Sequence, residues 1–192
     1  MKHSKNLSVS MIKASYLSML FAIPTAAVFF TAYVLLWGKT ELQIAWQTIV
    51  RQWLFFTFIM LAAILVHEVL HGVTWMYFGR KRSSAIHFGF NVKALSPYAH
   101  CKEPMTARAY RLGALMPGML LGVLPVLAGL ITGNGIFMLF GLLFTVAAGG
   151  DMLVFWLLRK ASPNVMVMDH PANAGCILMD EAGEEKKSGA ER

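Results

Sequence analysis

The sequence predicts an all-α membrane protein of four transmembrane helices, with a small cytoplasmic β-hairpin or loop insertion between the second and the third. Three observations lead there. Hydrophobic residues make up 57% of the 192 positions and charged residues 14%, with a mean hydropathy of +0.57, whereas a soluble domain carries roughly 45–50% apolar and about 25% charged residues. Four apolar stretches, 16–37, 53–78, 112–132 and 136–158, each reach the roughly 20 residues that a helix needs to cross a bilayer core about 30 Å thick. The basic residues, finally, collect in alternate loops.

The first stretch follows Lys2, Lys5 and Lys13 and continues past Pro24 to Trp37. A secretory signal has an apolar core of about 7–15 residues, so this longer run reads as a membrane helix; neighbouring helices can satisfy the carbonyl that a proline frees. A short outer loop, 38–51, holds Lys39 and Arg51, the only basic residues on that side. The second stretch ends at Gly79 and the Arg80-Lys81-Arg82 cluster.

Between the second and third helices lie Arg80, Lys81, Arg82, Lys93, Lys102, Arg108 and Arg111, and the fourth is followed by Arg159 and Lys160. The positive-inside rule then puts both termini and the central loop in the cytoplasm. The formal charge of +7 is thereby explained as topology, and a nucleic-acid partner is not expected. Within the central loop, 85–92 (AIHFGFNV) alternates like a short strand until Pro97 and Pro104 interrupt the pattern. An unpaired edge there would accept an extended substrate by strand addition; a plain connecting hairpin is the other reading.

Thr132-Gly133-Asn134-Gly135 is a tight turn joining the third and fourth helices as antiparallel neighbours. Gly113, Gly118, Gly122 and Gly129 on one side and Gly141, Gly149 and Gly150 on the other permit close helix contact. Residues 1–160 thus form one membrane domain, and 161–192 a cytoplasmic tail. In the tail, 165–168 and 176–179 read as short strands and the final EAGEEKKSGAER as disordered. Cys101 and Cys176 both fall on the reducing side, so no structural disulfide is expected.

His67-Glu68-Val69-Leu70-His71 carries the chemistry. On a helix, positions i and i+4 share a face, so both imidazoles reach one tetrahedral zinc while Glu68 is offset toward the water in the open position. Zinc lowers the pKa of that water and polarises a carbonyl; the glutamate acts as general base. Six His and seven Glu in 192 residues give a chance expectation of about 0.007 such matches. A carboxylate in a span costs about 2.5–3.5 kcal/mol, and a metal offsets that cost.

A catalytic zinc takes three protein ligands and keeps one position open. Asp151 is the one other acidic residue inside an expected span. The middle of the motif lies nine residues before Phe78 and Asp151 eight before Arg159, so at 1.5 Å per residue both sit about 12–14 Å from the cytoplasmic end. His67, His71 and Asp151 are therefore the expected ligands and Glu68 the catalytic residue. The competing ligands are His100, Cys101 and Glu103 in the loop and His87 on the strand. His87, Phe88 and Asn91 on the strand, with His100 beyond it, are the candidate substrate-binding residues.

With HEVLH in one span and AGGD in a later one, the chain resembles the putative zincin peptidases, bacterial multi-pass membrane proteins defined by a domain of unknown function. HFGF, YAHCKEPM and DHPANAGC (169–176) resemble segments of that family too. The resemblance covers about residues 50–180 and implies metal binding by His67 and His71, catalysis by Glu68 and a third ligand in Asp151. The chain is similar, more distantly, to site-2 proteases, whose membrane aspartate is followed by glycine in a proline-containing segment. Here Asp151 follows two glycines and precedes Met152, so substrate and regulatory role are not carried over. The expectation is an intramembrane Zn²⁺ metalloprotease acting on membrane-embedded or membrane-adjacent peptide bonds. The rival is a non-catalytic zinc-binding adaptor or sensor; a transporter fits less well, since four spans show no internal repeat.

Overall fold

The computed structural model describes residues 5–91, 96–170 and 173–179. The chain is mostly helical, with two small antiparallel sheets. Helix α1 covers Met11–Trp37, α2 Thr40–Arg51 and α3 Trp53–Phe78. A third long helix runs over Ala107–Thr132 as α4 (Ala107–Pro117), a π-helical stretch (Gly118–Val123) and α5 (Leu124–Thr132). Three helices, α1, α3 and this composite one, are long and apolar enough to cross a membrane. Helices α6 (Gly135–Ala147) and α7 (Gly149–Leu158) make a fourth if the pair counts as one broken span.

Three expectations about the helices change. The first and third helices begin at Met11 and Ala107, each about a turn earlier than the apolar stretches do, because polar residues on one side of a helix do not end it. At Ala107 the start is fixed by Thr106, whose hydroxyl accepts from the Ala109 amide. The outer loop 38–51 is mostly helix α2: Leu42 and Ala45, three apart on one face, are buried. The fourth helix is bent by 47° at Ala148. Gly149 there lies against α1, where a Cβ would come 3.0 Å from the Ser18 carbonyl oxygen, and the bend lets α7 follow that contact.

The turn between the third and fourth helices forms as expected. Gly133 takes φ +73°, a left-handed conformation that suits a residue without Cβ, and the Asn134 side chain caps α6 by accepting from the Ile136 and Phe137 amides. Backbones approach closely across the pair: a Cβ on Gly141 would stand 2.5 Å from the Val126 nitrogen. In α1, Pro24 is accommodated, and the Thr25 hydroxyl donates to the Phe21 carbonyl at 2.7 Å.

The expected hairpin is present as β2 (Ile86–Asn91) and β3 (Ser96–Cys101), paired from Ile86↔Cys101 to Asn91↔Ser96. A second sheet was not expected from the sequence. It has the order β1-β6-β5-β4 and joins the N-terminal strand β1 (Lys5–Val9) to β6 (Ala174–Met179), β5 (Met166–Asp169) and β4 (Met105–Thr106). Both tail segments read as strands lie in it, while the final segment read as disordered lies outside the described residues. Trp75, Ile86, Tyr110, Leu158, Val167 and Cys176 share one buried cluster that seats both sheets on the ends of α3, α4 and α7. Tyr33, Leu42, Val126 and Met138 form another. The outer helix faces stay apolar, with Leu35 81% and Ile131 77% exposed, which is compatible with membrane insertion.

Candidate metal centre

Helix α3 carries the HEVLH motif, and the one-turn spacing brings the His67 and His71 rings to 5.0 Å, nearly perpendicular. Asp151 enters from the first turn of α7. One of its carboxylate oxygens stands 3.1 Å from His67 Nε2 and the other 3.4 Å from His71 Nε2. His71 is buried, and the side chains of His67 and Asp151 keep 12% and 24% of their exposure. The three ligand atoms lie within 4.8 Å of one another, a group able to hold a metal ion.

The donor set and its spacing fit zinc. Nitrogen and oxygen ligands each about 2.0–2.1 Å from a tetrahedral ion stand about 3.3 Å apart, close to both separations. His71 is also set as a ligand: its Nδ1 lies 2.8 Å from the Gly113 carbonyl oxygen on α4. With Nδ1–H donating there, the lone pair of Nε2 is left facing Asp151. Behind it, Trp75 stacks on the His71 ring and Tyr110 stacks on Trp75, with interplanar angles of 20° at each step. Gly113 is confined to glycine by this stack, because a Cβ would fall 1.9 Å from Trp75 Nε1.

Glu68 sits beside the ligands in the wall of a cavity of about 510 Å³ that His67, His71 and Asp151 also line. Ser15 and Ser18 of α1, Ala99 of β3 and Asn173 complete its polar side. Register explains the presence of Ala99. Lys102 N–H donates to the Ala85 carbonyl, so with pairing alternating along an antiparallel ladder, Ala99 and Cys101 turn their amides away from β2. The Ala99 amide hydrogen-bonds Glu68, and the Cys101 amide donates to Asp169 at 3.1 Å.

A family profile described as putative zincin peptidase matches residues 59–166, a stretch that holds His67, Glu68, His71 and Asp151. The chain belongs to the putative zincin peptidase family. No curated protein and no solved structure matches it.

For this zincin-family chain, the three competing ligands of the loop lie apart from the cluster. His100 Nδ1 stands 2.9 Å from Asp169, Cys101 Sγ is directed at the Glu103 carbonyl, and Glu103 pairs with Lys81. Of the candidate substrate residues, His87 is exposed opposite His100, and Phe88 packs on Gly72 of α3. Asn91 ends β2, its side chain lying outside the described residues. The hairpin residues lining the cavity are instead Tyr98 and Ala99. Several participants had no sequence signal: the Gly113 carbonyl and the Ala99 amide are backbone groups, and Tyr110 resembled any aromatic near a helix start. Asp169 lies in the DHP segment, conspicuous in the sequence but without a chemical reading until its partners are seen.

Proposed function

We propose that this chain is an intramembrane zinc metalloprotease that hydrolyses peptide bonds of membrane-embedded or membrane-adjacent proteins near the cytoplasmic face. One observation carries the reading: two imidazoles and a carboxylate converge at ligand spacing beside a glutamate that faces an open cavity. Family membership supports the peptidase class. His67, His71 and Asp151 would hold the ion. Bound there, zinc would supply a Lewis acid and a water of lowered pKa.

Glu68, whose carboxylate lines the cavity beside His67, His71 and Asp151, would serve as the base that accepts a proton from the attacking water and returns it to the leaving amine. His71 is oriented by the Gly113 carbonyl, and Ser15 and Ser18 of α1 lie in the wall of the cavity. The edge of β3 that runs past Glu68 supports strand addition as the mode of substrate binding, because a peptide laid along it would meet the base at Ala99. Purified protein should contain about one zinc per chain and cleave fluorescein-labelled casein in detergent. Removing zinc with a chelator should stop cleavage, and adding zinc should restore it; cleavage that persists without metal refutes the reading.

The basic loops support an orientation with both termini and the hairpin in the cytoplasm. Lys39→Cys should react with an impermeant maleimide on intact cells, and Lys81→Cys only after permeabilisation. The reverse pattern would invert the topology.

A further inference from the structure

Asp169, at the end of β5, is the most heavily bonded carboxylate among the described residues outside the His67–His71–Asp151 group. Its side chain is 11% exposed. It accepts from three groups: the Cys101 amide at 3.1 Å, His100 Nδ1 at 2.9 Å and the Tyr110 hydroxyl. The first two belong to β3 and the third to α4. These strands have no shared ladder with β5, which pairs with β4 and β6. Among the described residues, the carboxylate therefore joins β5 to the β2–β3 hairpin, with which it shares no ladder, and adds a side-chain tie to α4, whose first residues Ala107 and Arg108 already donate to the Val165 and Pro163 carbonyls ahead of β5.

Each attachment leads to the site. Tyr110 is the outer ring of the stack that ends on His71. Cys101 is two residues from Ala99, whose amide faces Glu68 from the same edge of β3. Of the outward-facing positions on β3, Pro97 has no N–H, the Ala99 amide meets Glu68 and the Cys101 amide meets Asp169, so an added strand pairs by donating to the outward-facing carbonyls, and Asp169 stands at the last of these positions.

We infer that Asp169 is a positioning residue for substrate: it fastens the C-terminal strands to β3 and α4, holds the β3 edge alongside Glu68 and ends the usable edge at Cys101. The kinetic part of this inference rests on the peptidase reading; the structural part does not. Burial and the Glu103 carbonyl act in opposite directions on the Cys101 thiol, and burial prevails to push it up. Burial and then Asp169 push Cys176 up to about 12. Both thiols are buried and free, so alkylation is slow while the latch is closed and Cys101 reports its opening. The hydrogen bond to Asp169 holds His100 above its ordinary value.

The test compares Asp169→Ala with the full wild-type chain in detergent. Alkylation of Cys101 by N-ethylmaleimide, read by peptide mass spectrometry, should speed up about tenfold through local opening, with zinc content unchanged. With labelled casein, KM should rise about tenfold while kcat stays within about twofold. Asp169→Asn, which keeps one acceptor oxygen, should fall between. A purely structural role would lower the active fraction and hence kcat, leaving KM alone; that result, or wild-type Cys101 labelling, overturns the inference. Should the wild type fail to cleave casein, the peptidase reading is what suffers, and the thiol measurement still decides this one. If Asp169→Ala does not assemble, His100→Leu and Tyr110→Phe each remove one donor and should raise labelling about threefold; wild-type rates in both overturn the inference equally.

Discussion

Glu68→Gln is expected to lower peptide cleavage by about 10²–10⁴-fold, the usual contribution of a positioned general base, while zinc content stays at the wild-type level. Glutamine has nearly the same shape and can keep a hydrogen bond to the Ala99 amide, so β3 should stay in place. It has no basic oxygen to take a proton. His67, His71 and Asp151 are untouched, and their spacing, 3.1 and 3.4 Å from each histidine to the carboxylate, should still hold the ion. Parallel assays of casein cleavage and metal content check both halves. A variant that cleaves casein as fast as the wild type would take the role of base away from Glu68 and refute the mechanism proposed for this site.

Asp151→Ala should lose zinc, by more than the roughly 10–100-fold that removing a supporting group outside the ligand shell costs. The reason is charge as well as coordination number. Asp151 is the anionic member of the set, and without it two neutral imidazoles on one helix face would have to hold a divalent ion in a poorly hydrated place. His67→Ala should lose zinc as well, since it removes the other end of the 3.1 Å contact. Metal analysis of the two purified variants, with circular dichroism to establish that both are folded, checks the pair. Zinc retained by Asp151→Ala but lost by His67→Ala would remove Asp151 from the ligand set and send the search for a third ligand elsewhere.

The metal cluster was legible in the sequence because it depends on two regular distances. The helical period puts His67 and His71 on one face, and the rise per residue puts Asp151 at their level once both helices are taken to run the same way. Neither distance depends on how the helices pack. The hairpin was legible for the same reason, since alternation over 86–91 survives any arrangement around it. Helix α2 was passed over because a 12-residue amphipathic segment between two apolar runs reads as a connection. The bend at Ala148 was hidden too, since Ala147-Ala148-Gly149-Gly150 is compatible with a straight helix until α1 lies against it.

The sequence by itself determined that this chain is built of long apolar helices, that two histidines and a glutamate share a turn of one of them, and that an aspartate waits at matching depth on another. Only the tertiary structure decided what surrounds them: the Gly113 carbonyl behind His71, the Ala99 amide against Glu68, the pairing of β1 with β6 in one sheet, and the tie from that sheet to β3 through Asp169. The physical reason is that local periodicity encodes direction along an element, whereas strand partners far apart in the chain and backbone hydrogen bonds between elements are set by packing. Backbone groups, which every residue carries alike, leave no mark in the order of side chains.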